Sequence, residues 1–170
     1  MVLIDQHAAH ERVLFDRLTA NSSQQPAAEK QILLVPERVE LDGQNYPVAI
    51  DNLELLNSLG LAVEEFGGNS VLLRAVPAII DKANPKQLLL DILTEIQNLG
   101  KSAQIETKKE NILKLIACRS AIKAGDKLSQ PEISQLIKDL FAAPNPLTCP
   151  HGRPILWRLS EEEIKKHFLR

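Results

Sequence analysis

At 170 residues and 44% hydrophobic content, the chain is long enough to bury a core, as one domain or two small ones. A formal net charge of -2 excludes strong electrostatic capture of nucleic acid by the chain alone, so any DNA contact is expected to be weak or delivered by a partner. No apolar run approaches a membrane span, no basic-then-apolar leader opens the chain, and two cysteines are too few for a disulfide framework, so a soluble protein in a reducing, cytoplasmic setting is expected.

Val2-Leu3-Ile4 reads as a strand end, and opening on it at Met1 without a turn points to a segment of a longer chain. Ala8 to Leu18 repeats its apolar residues at helical spacing, which puts Asp5 at a strand-to-helix junction. His7 and Glu11, four apart, share a helical face that continues through Leu14, Phe15 and Leu18, so Glu11 is expected to point inward. A buried carboxylate costs several kcal/mol unless a cation or a donor network compensates it. Two readings stand at this point. Either His7 and Glu11 form a hydrogen-bonded pair with Asp5 as a helix cap, or they are ligands of a metal ion.

Asn21 to Pro26 reads as a polar linker. Gln31 to Pro36 predicts a strand running to about Leu41, and Val48 to Leu59 a helix. The runs Leu61 to Phe66 and Val71 to Val76, about Gly67-Gly68-Asn69, predict a hairpin. Asn84-Pro85 predicts a helix start, with Leu88, Leu89, Ile92, Leu93 and Ile96 on its inner face. After a second linker at Lys101 to Gln104, a helix from Glu106 turns Ile112, Leu115 and Ile116 inward with Arg119 on the same stripe. Gly125 ends that segment. Ser129-Gln130-Pro131-Glu132 and Ser160-Glu161-Glu162-Glu163 carry capping-box spacing for two further helices. Between these lies a proline-rich loop, Pro144 to Pro154, and then a strand over Ile155 to Leu159, whose apolar residues suit either core or interface.

In Cys149-Pro150-His151 the prolines predict an extended backbone, in which residues two apart point the same way. His7, Glu11, Cys149 and His151 then supply a nitrogen, sulfur and oxygen set that zinc accepts, with Asp5 and Cys118 in reserve. The alternatives are a buried apolar Cys149 and an ordinary loop histidine.

Asp5-Gln6-His7-Ala8-Ala9-His10-Glu11, Ala117-Cys118-Arg119 followed by Ser120-Ala121-Ile122-Lys123-Ala124, and Cys149-Pro150-His151-Gly152-Arg153-Pro154 resemble three motifs of the C-terminal domain of the MutL mismatch-repair family. Order and separations match, over nearly the whole chain. The resemblance implies a latent, metal-dependent endonuclease that nicks duplex DNA and homodimerises, since members lacking these motifs only dimerise. It implies metal ligation by Asp5, His7, Glu11, Cys118, Cys149 and His151, with Glu11 shared between ions. Zinc is expected in a structural or regulatory role and manganese or magnesium in a catalytic one. Asp5, His7, Glu11 and Arg153 would form the catalytic set, Arg153 meeting the phosphate unless it is a surface charge. Arg119 would orient Asp5 or sit in a buried salt bridge. The family pattern ends on glutamate where this chain has Asp16, which is either a solvated charge or the partner of an arginine. Gln31-Ile32-Leu33-Leu34-Val35-Pro36 resembles the family's sliding-clamp-binding motif, with Gln31, Leu33, Leu34, Val35 and Pro36 as contacts. The implied partners are a second copy, duplex DNA, the replication sliding clamp, the mismatch-recognition protein MutS and an ATPase domain of the same chain, in a bacterial, nucleoid-associated setting with no membrane.

The expected fold is α/β (α+β) in two lobes. Residues 1–22 and 118–170 would form a discontinuous dimerisation and metal-site lobe, and 23–117 an inserted β-α-β-β-α regulatory lobe. The rival reading is a non-catalytic dimerisation and clamp-docking module with a structural zinc. A metallopeptidase of the H-x-x-E-H type is set aside because His7 and His10 are three apart, not four.

Overall fold

The structure, a computed structural model, describes residues 1–24, 29–80, 83–123 and 125–168. Its fold is mixed α+β, with two antiparallel sheets among the described residues. The chain divides into two compact units, Met1–Asp16 with Ala121–Arg170, and Arg17–Ser120.

In the first unit β1 (Val2–Ile4) pairs antiparallel with β5 (Leu156–Arg158), Leu3 standing opposite Trp157. The N-terminal ammonium and the Leu159 amide extend this ladder by exchanging bonds with the Leu159 and Met1 carbonyls. Helix α1 (Gln6–Gln24) starts at Asp5, whose Oδ1 accepts from the amides of His7 at 2.9 Å and Ala8 at 3.2 Å, two donors that a helix start leaves without partners. Nothing between Gln6 and Gln25 is glycine or proline, so the helix runs through Asn21 to Gln24, where the polar composition predicts a linker. The remainder of that predicted linker lies outside the described residues.

Small side chains at Ala8 and Ala9 admit the α6 helix (Gln130–Ala142), and Leu136 and Leu140 pack with Val13, Cys149 and Ile155 into a core. Each fully buried leucine or isoleucine there contributes about 1.5–3 kcal/mol. Capping boxes start α6 and α7 (Glu161–His167) where the Ser-x-x-Glu spacing predicts them.

In the second unit β2 (Lys30–Glu40), β4 (Ser70–Pro77) and β3 (Ala62–Gly67) form a sheet in the order β2-β4-β3. The β3–β4 turn has positive φ at Gly68 (57°) and Asn69 (56°), as a two-residue hairpin turn requires at both central positions. The helix expected over Val48 to Leu59 is two short ones, α2 (Asn45–Asp51) and α3 (Leu53–Ser58). They part at Asn52, whose side chain donates to the Val48 carbonyl at 2.8 Å and competes with the backbone ladder. Helix α4 (Pro85–Leu99), capped by Asn84, buries the five apolar residues the period predicts.

Helix α5 (Ile105–Ser120) buries Ile112, Leu113, Ile116 and Ala117. Its Arg119 is half-exposed rather than inward and pairs with Asp91 of α4 at 2.7 Å. A guanidinium at a helix end can reach sideways along its three-carbon stem, so sharing a stripe does not bury it.

Candidate metal centre

Three segments of the first unit converge on the start of α1. Nδ1 of His7 lies 2.7 Å from the Ile122 carbonyl. A carbonyl only accepts, so Nδ1 carries a proton, and in the neutral ring Nε2 presents a bare lone pair. The Ile122 amide in turn donates to Nδ1 of His10 at 3.1 Å, so both backbone groups of Ile122 are held by imidazoles three residues apart. Gln6 donates to the Asp126 carbonyl at 3.0 Å. The segment after α5 is thereby fixed against the helix face that carries Glu11.

The third segment is the loop before β5. Its expected extended course over Cys149 to His151 is a tight turn: the Gly152 amide donates to the Cys149 carbonyl and the Cys149 amide to the Arg153 carbonyl, both at 2.9 Å. Thr148 and Pro154 close it as an isolated bridge. Proline is favoured at the second position of such a turn and glycine at the fourth, and Pro150 and Gly152 (φ 82°) occupy them. That signal was present in the sequence and outweighs the extended preference of a residue before proline.

The turn still delivers both side chains to Glu11. The Glu11 side chain is 3% exposed, and each of its oxygens faces a different imidazole: Oε1 lies 3.8 Å from His7 Nε2 and Oε2 lies 3.6 Å from His151 Nδ1. Cys149 is buried, and one ligand atom each from Glu11, Cys149 and His151 lie within 4.8 Å of one another.

These distances test the fit of a metal ion. A direct charge-assisted hydrogen bond would close to about 2.7–2.9 Å. Nitrogen and oxygen ligands about 2.0–2.2 Å from zinc, or sulfur at about 2.3 Å, stand roughly 3.3–3.8 Å apart in a tetrahedron. The Glu11–His151 separation lies at the upper end of the nitrogen–oxygen part of that range and the Glu11–His7 separation about 0.2 Å above it, both well beyond a direct hydrogen bond, and a buried carboxylate between two imidazoles beside a thiol is a donor set that zinc accepts. The described residues therefore fit a metal ion.

Asp5 uses Oδ1 as the cap of α1. Arg153 is exposed. Asp16 is the partner of an arginine, Arg12 Nη1 donating to its Oδ1 at 3.1 Å. Cys118 is half-buried in α5, in the Arg17–Ser120 unit. In that unit Gln31 to Pro36 lie on β2, an edge strand, where pairing with β4 shifts register between Ile32 and Glu37. Gln31, Leu34, Val35 and Pro36 are exposed there, Leu34 fully, and Leu33 is half-buried. Sequence reasoning missed Arg12 and His10, whose positions beside the inward stripe gave no sign that they hold backbone from elsewhere in the unit.

The sequence profile of the family described as "MutL C terminal dimerisation domain" matches residues 1–128. The chain is 40% identical over 168 residues to the DNA mismatch repair protein MutL of Thermoanaerobacter pseudethanolicus, covering 99% of this chain and 27% of that protein. It is 39% identical over 170 residues to that of Clostridium tetani, covering 100% and 27%, and 38% identical to that of Syntrophus aciditrophicus with the same coverage. The chain thus spans about a quarter of the length of these curated relatives. With three quarters of its length matched by the profile, the chain belongs to the family of MutL C-terminal dimerisation domains.

Proposed function

We propose that this domain is the nicking module of a bacterial MutL mismatch-repair protein, a homodimer that hydrolyses a phosphodiester of duplex DNA with a divalent cation. The observation that carries the reading is Glu11: a carboxylate 3% exposed, flanked by two imidazoles at separations suited to ligands of shared cations. Cations at this centre would supply Lewis-acid activation of the phosphodiester and of the attacking water. Glu11 would be the ligand shared between two ions. His7 would contribute Nε2, held in that tautomer by the Ile122 carbonyl, while Cys149 and His151 would contribute from a turn whose backbone is closed on itself. The burial of Cys149 favours a tightly held zinc on that side, beside a more labile manganese or magnesium. Asp5 and Cys118 enter the ligand set, and Arg153 the phosphate contact, on their motif positions.

Exposed apolar edge strand at Gln31 to Pro36 supports docking to the sliding clamp, because such an edge invites strand pairing or side-chain capture by a partner. Exposed Met1, Val2, Leu3 and Trp157 on the β1–β5 ladder support the homodimer. The net charge of -2 fits DNA delivery by partners: the clamp, MutS and the ATPase domain of the whole protein. No described helix is long and apolar enough to cross a membrane, and the proposed setting is the bacterial cytoplasm at the nucleoid.

The test is nicking of supercoiled DNA with manganese, with and without the clamp. Activity that clamp raises and Glu11→Lys abolishes is expected. Equal nicking by the Glu11 variant leaves the structural-zinc module in its place, and metal analysis that finds no bound ion leaves a pure dimerisation module.

A further inference from the structure

Arg12 and Asp16 follow Glu11 on α1, and together they reach the loop that carries Cys149 and His151. The Arg12 side chain is 10% exposed. Its Nε donates to the Thr148 carbonyl at 2.8 Å, its Nη1 donates to Asp16 Oδ1 at 3.1 Å, and its guanidinium lies 5.6 Å from the centroid of the Phe15 ring. Thr148 immediately precedes Cys149 and forms one side of the bridge that closes the loop. The other oxygen of Asp16, Oδ2, is buried and accepts no hydrogen bond among the described residues. A half-satisfied, largely buried carboxylate is costly, and an ordinary helical ion pair returns only a few tenths of a kcal/mol. The pair therefore needs a gain beyond its own attraction.

We propose that Asp16 and Arg12 form a positioning relay for the metal centre: Asp16 holds the guanidinium, the guanidinium holds the Thr148 carbonyl, and Cys149 and His151 are thereby kept at ligand distance from Glu11. The inference rests on the metal reading above. It assigns the last acidic position of the first motif a role at one remove from the ions. Five residues past Glu11, Asp16 is about 140° around the helix from it, and its Oδ1 is already taken by Arg12. Arg12, a permanent cation, cannot ligate. Its forked donors suit the two acceptors it meets, and a lysine would not supply the fork.

Cobalt(II) titration of the chain tests this, read by the part of the thiolate-to-cobalt absorption that Cys149→Ser removes. Asp16→Ala and Arg12→Gln are expected to weaken cobalt binding about 10- to 100-fold and to diminish that band at saturation. Asp16→Glu, which keeps the charge, should restore most of both. The double variant should be no worse than Arg12→Gln alone, because the two residues act through one contact. If Arg12→Gln does not fold, Asp16→Ala decides alone, alanine being well accepted in a helix. Wild-type affinity and band in Asp16→Ala overturn the relay and leave the metal centre standing. A lowered melting temperature of the metal-free variant with an unchanged saturated band makes the pair a structural tie and overturns the relay equally. Absence of a cobalt band in the wild-type protein overturns the metal reading, and the relay with it.

Discussion

Glu11 Oε1 and His7 Nε2 stand 3.8 Å apart, one helical turn from each other, too far for a hydrogen bond and within a few tenths of an ångström of the spacing of two ligands on one cation. With Oε2 at 3.6 Å from His151, both carboxylate oxygens lack a short donor from either ring. Such a carboxylate disfavours the metal-free fold and favours the loaded one. Glu11→Gln is accordingly expected to match or exceed the wild type in stability without metal, by about 1–2 kcal/mol. Saturating zinc should raise the melting temperature of the wild type and leave that of the variant nearly unchanged. Calorimetry with and without chelator checks both arms, and an equal zinc-induced rise in the variant removes Glu11 from the ligand set.

On β2, exposure separates the proposed docking surface from the fold. Ile32, Leu34 and Val35 are exposed, so polar or small replacements there leave the core untouched. Leu34→Ala with Gln31→Ala should change stability by no more than about 0.5 kcal/mol. Clamp affinity should fall at least tenfold and clamp-stimulated nicking with it, while clamp-independent nicking stays. Surface plasmon resonance against immobilised clamp measures the affinity. Retained binding by the double variant would send the docking site elsewhere.

Periodicity made much of this legible. The inward direction of Glu11 follows from sharing a face with Leu14 and Leu18, and the α4 core from five apolar residues at helical spacing. The hairpin and three caps follow from glycine, asparagine and serine chemistry that is local in sequence. What escaped was set by contacts distant along the chain or by competition within a few residues. Asn52 splits a helix because its own amide takes a carbonyl, and Arg119 leaves its stripe because Asp91 is within reach. The course of Cys149 to Gly152 was decided by a turn preference over an extended one. Nothing local in the sequence marks Arg12, because the Thr148 carbonyl it holds lies 136 residues later.

Opposite each other on the β1–β5 ladder, Leu3 and Trp157 leave an exposed apolar pair, Trp157 being 62% exposed. Aromatic anchors of this kind concentrate binding energy when a partner covers them. Trp157→Glu is expected to convert a dimer to a monomer in sedimentation velocity at micromolar concentration, with the far-ultraviolet circular dichroism preserved. A dimer that survives the substitution would place the interface away from this ladder.

The last helix offers a titration whose sign is fixed by geometry. Glu163 accepts from the Ser160 amide at 2.7 Å and from the Ser160 hydroxyl at 2.8 Å, and these bonds, the backbone one foremost, hold its carboxyl below the ordinary glutamate value of 4.5. A carboxyl depressed in the folded state contributes stability that is fully present above the unfolded value and is lost as pH falls through the folded one. The capping box of α7 should therefore persist at pH 4.5 and open only below it. Side-chain carboxyl NMR of Glu163 should give a midpoint under 4.5, with the Ser160 amide losing exchange protection over the same interval. Ser160→Ala keeps the backbone donor and removes the hydroxyl, so the midpoint should rise partway towards the ordinary value; a wild-type midpoint at or above 4.5 would mean that the box is open in solution.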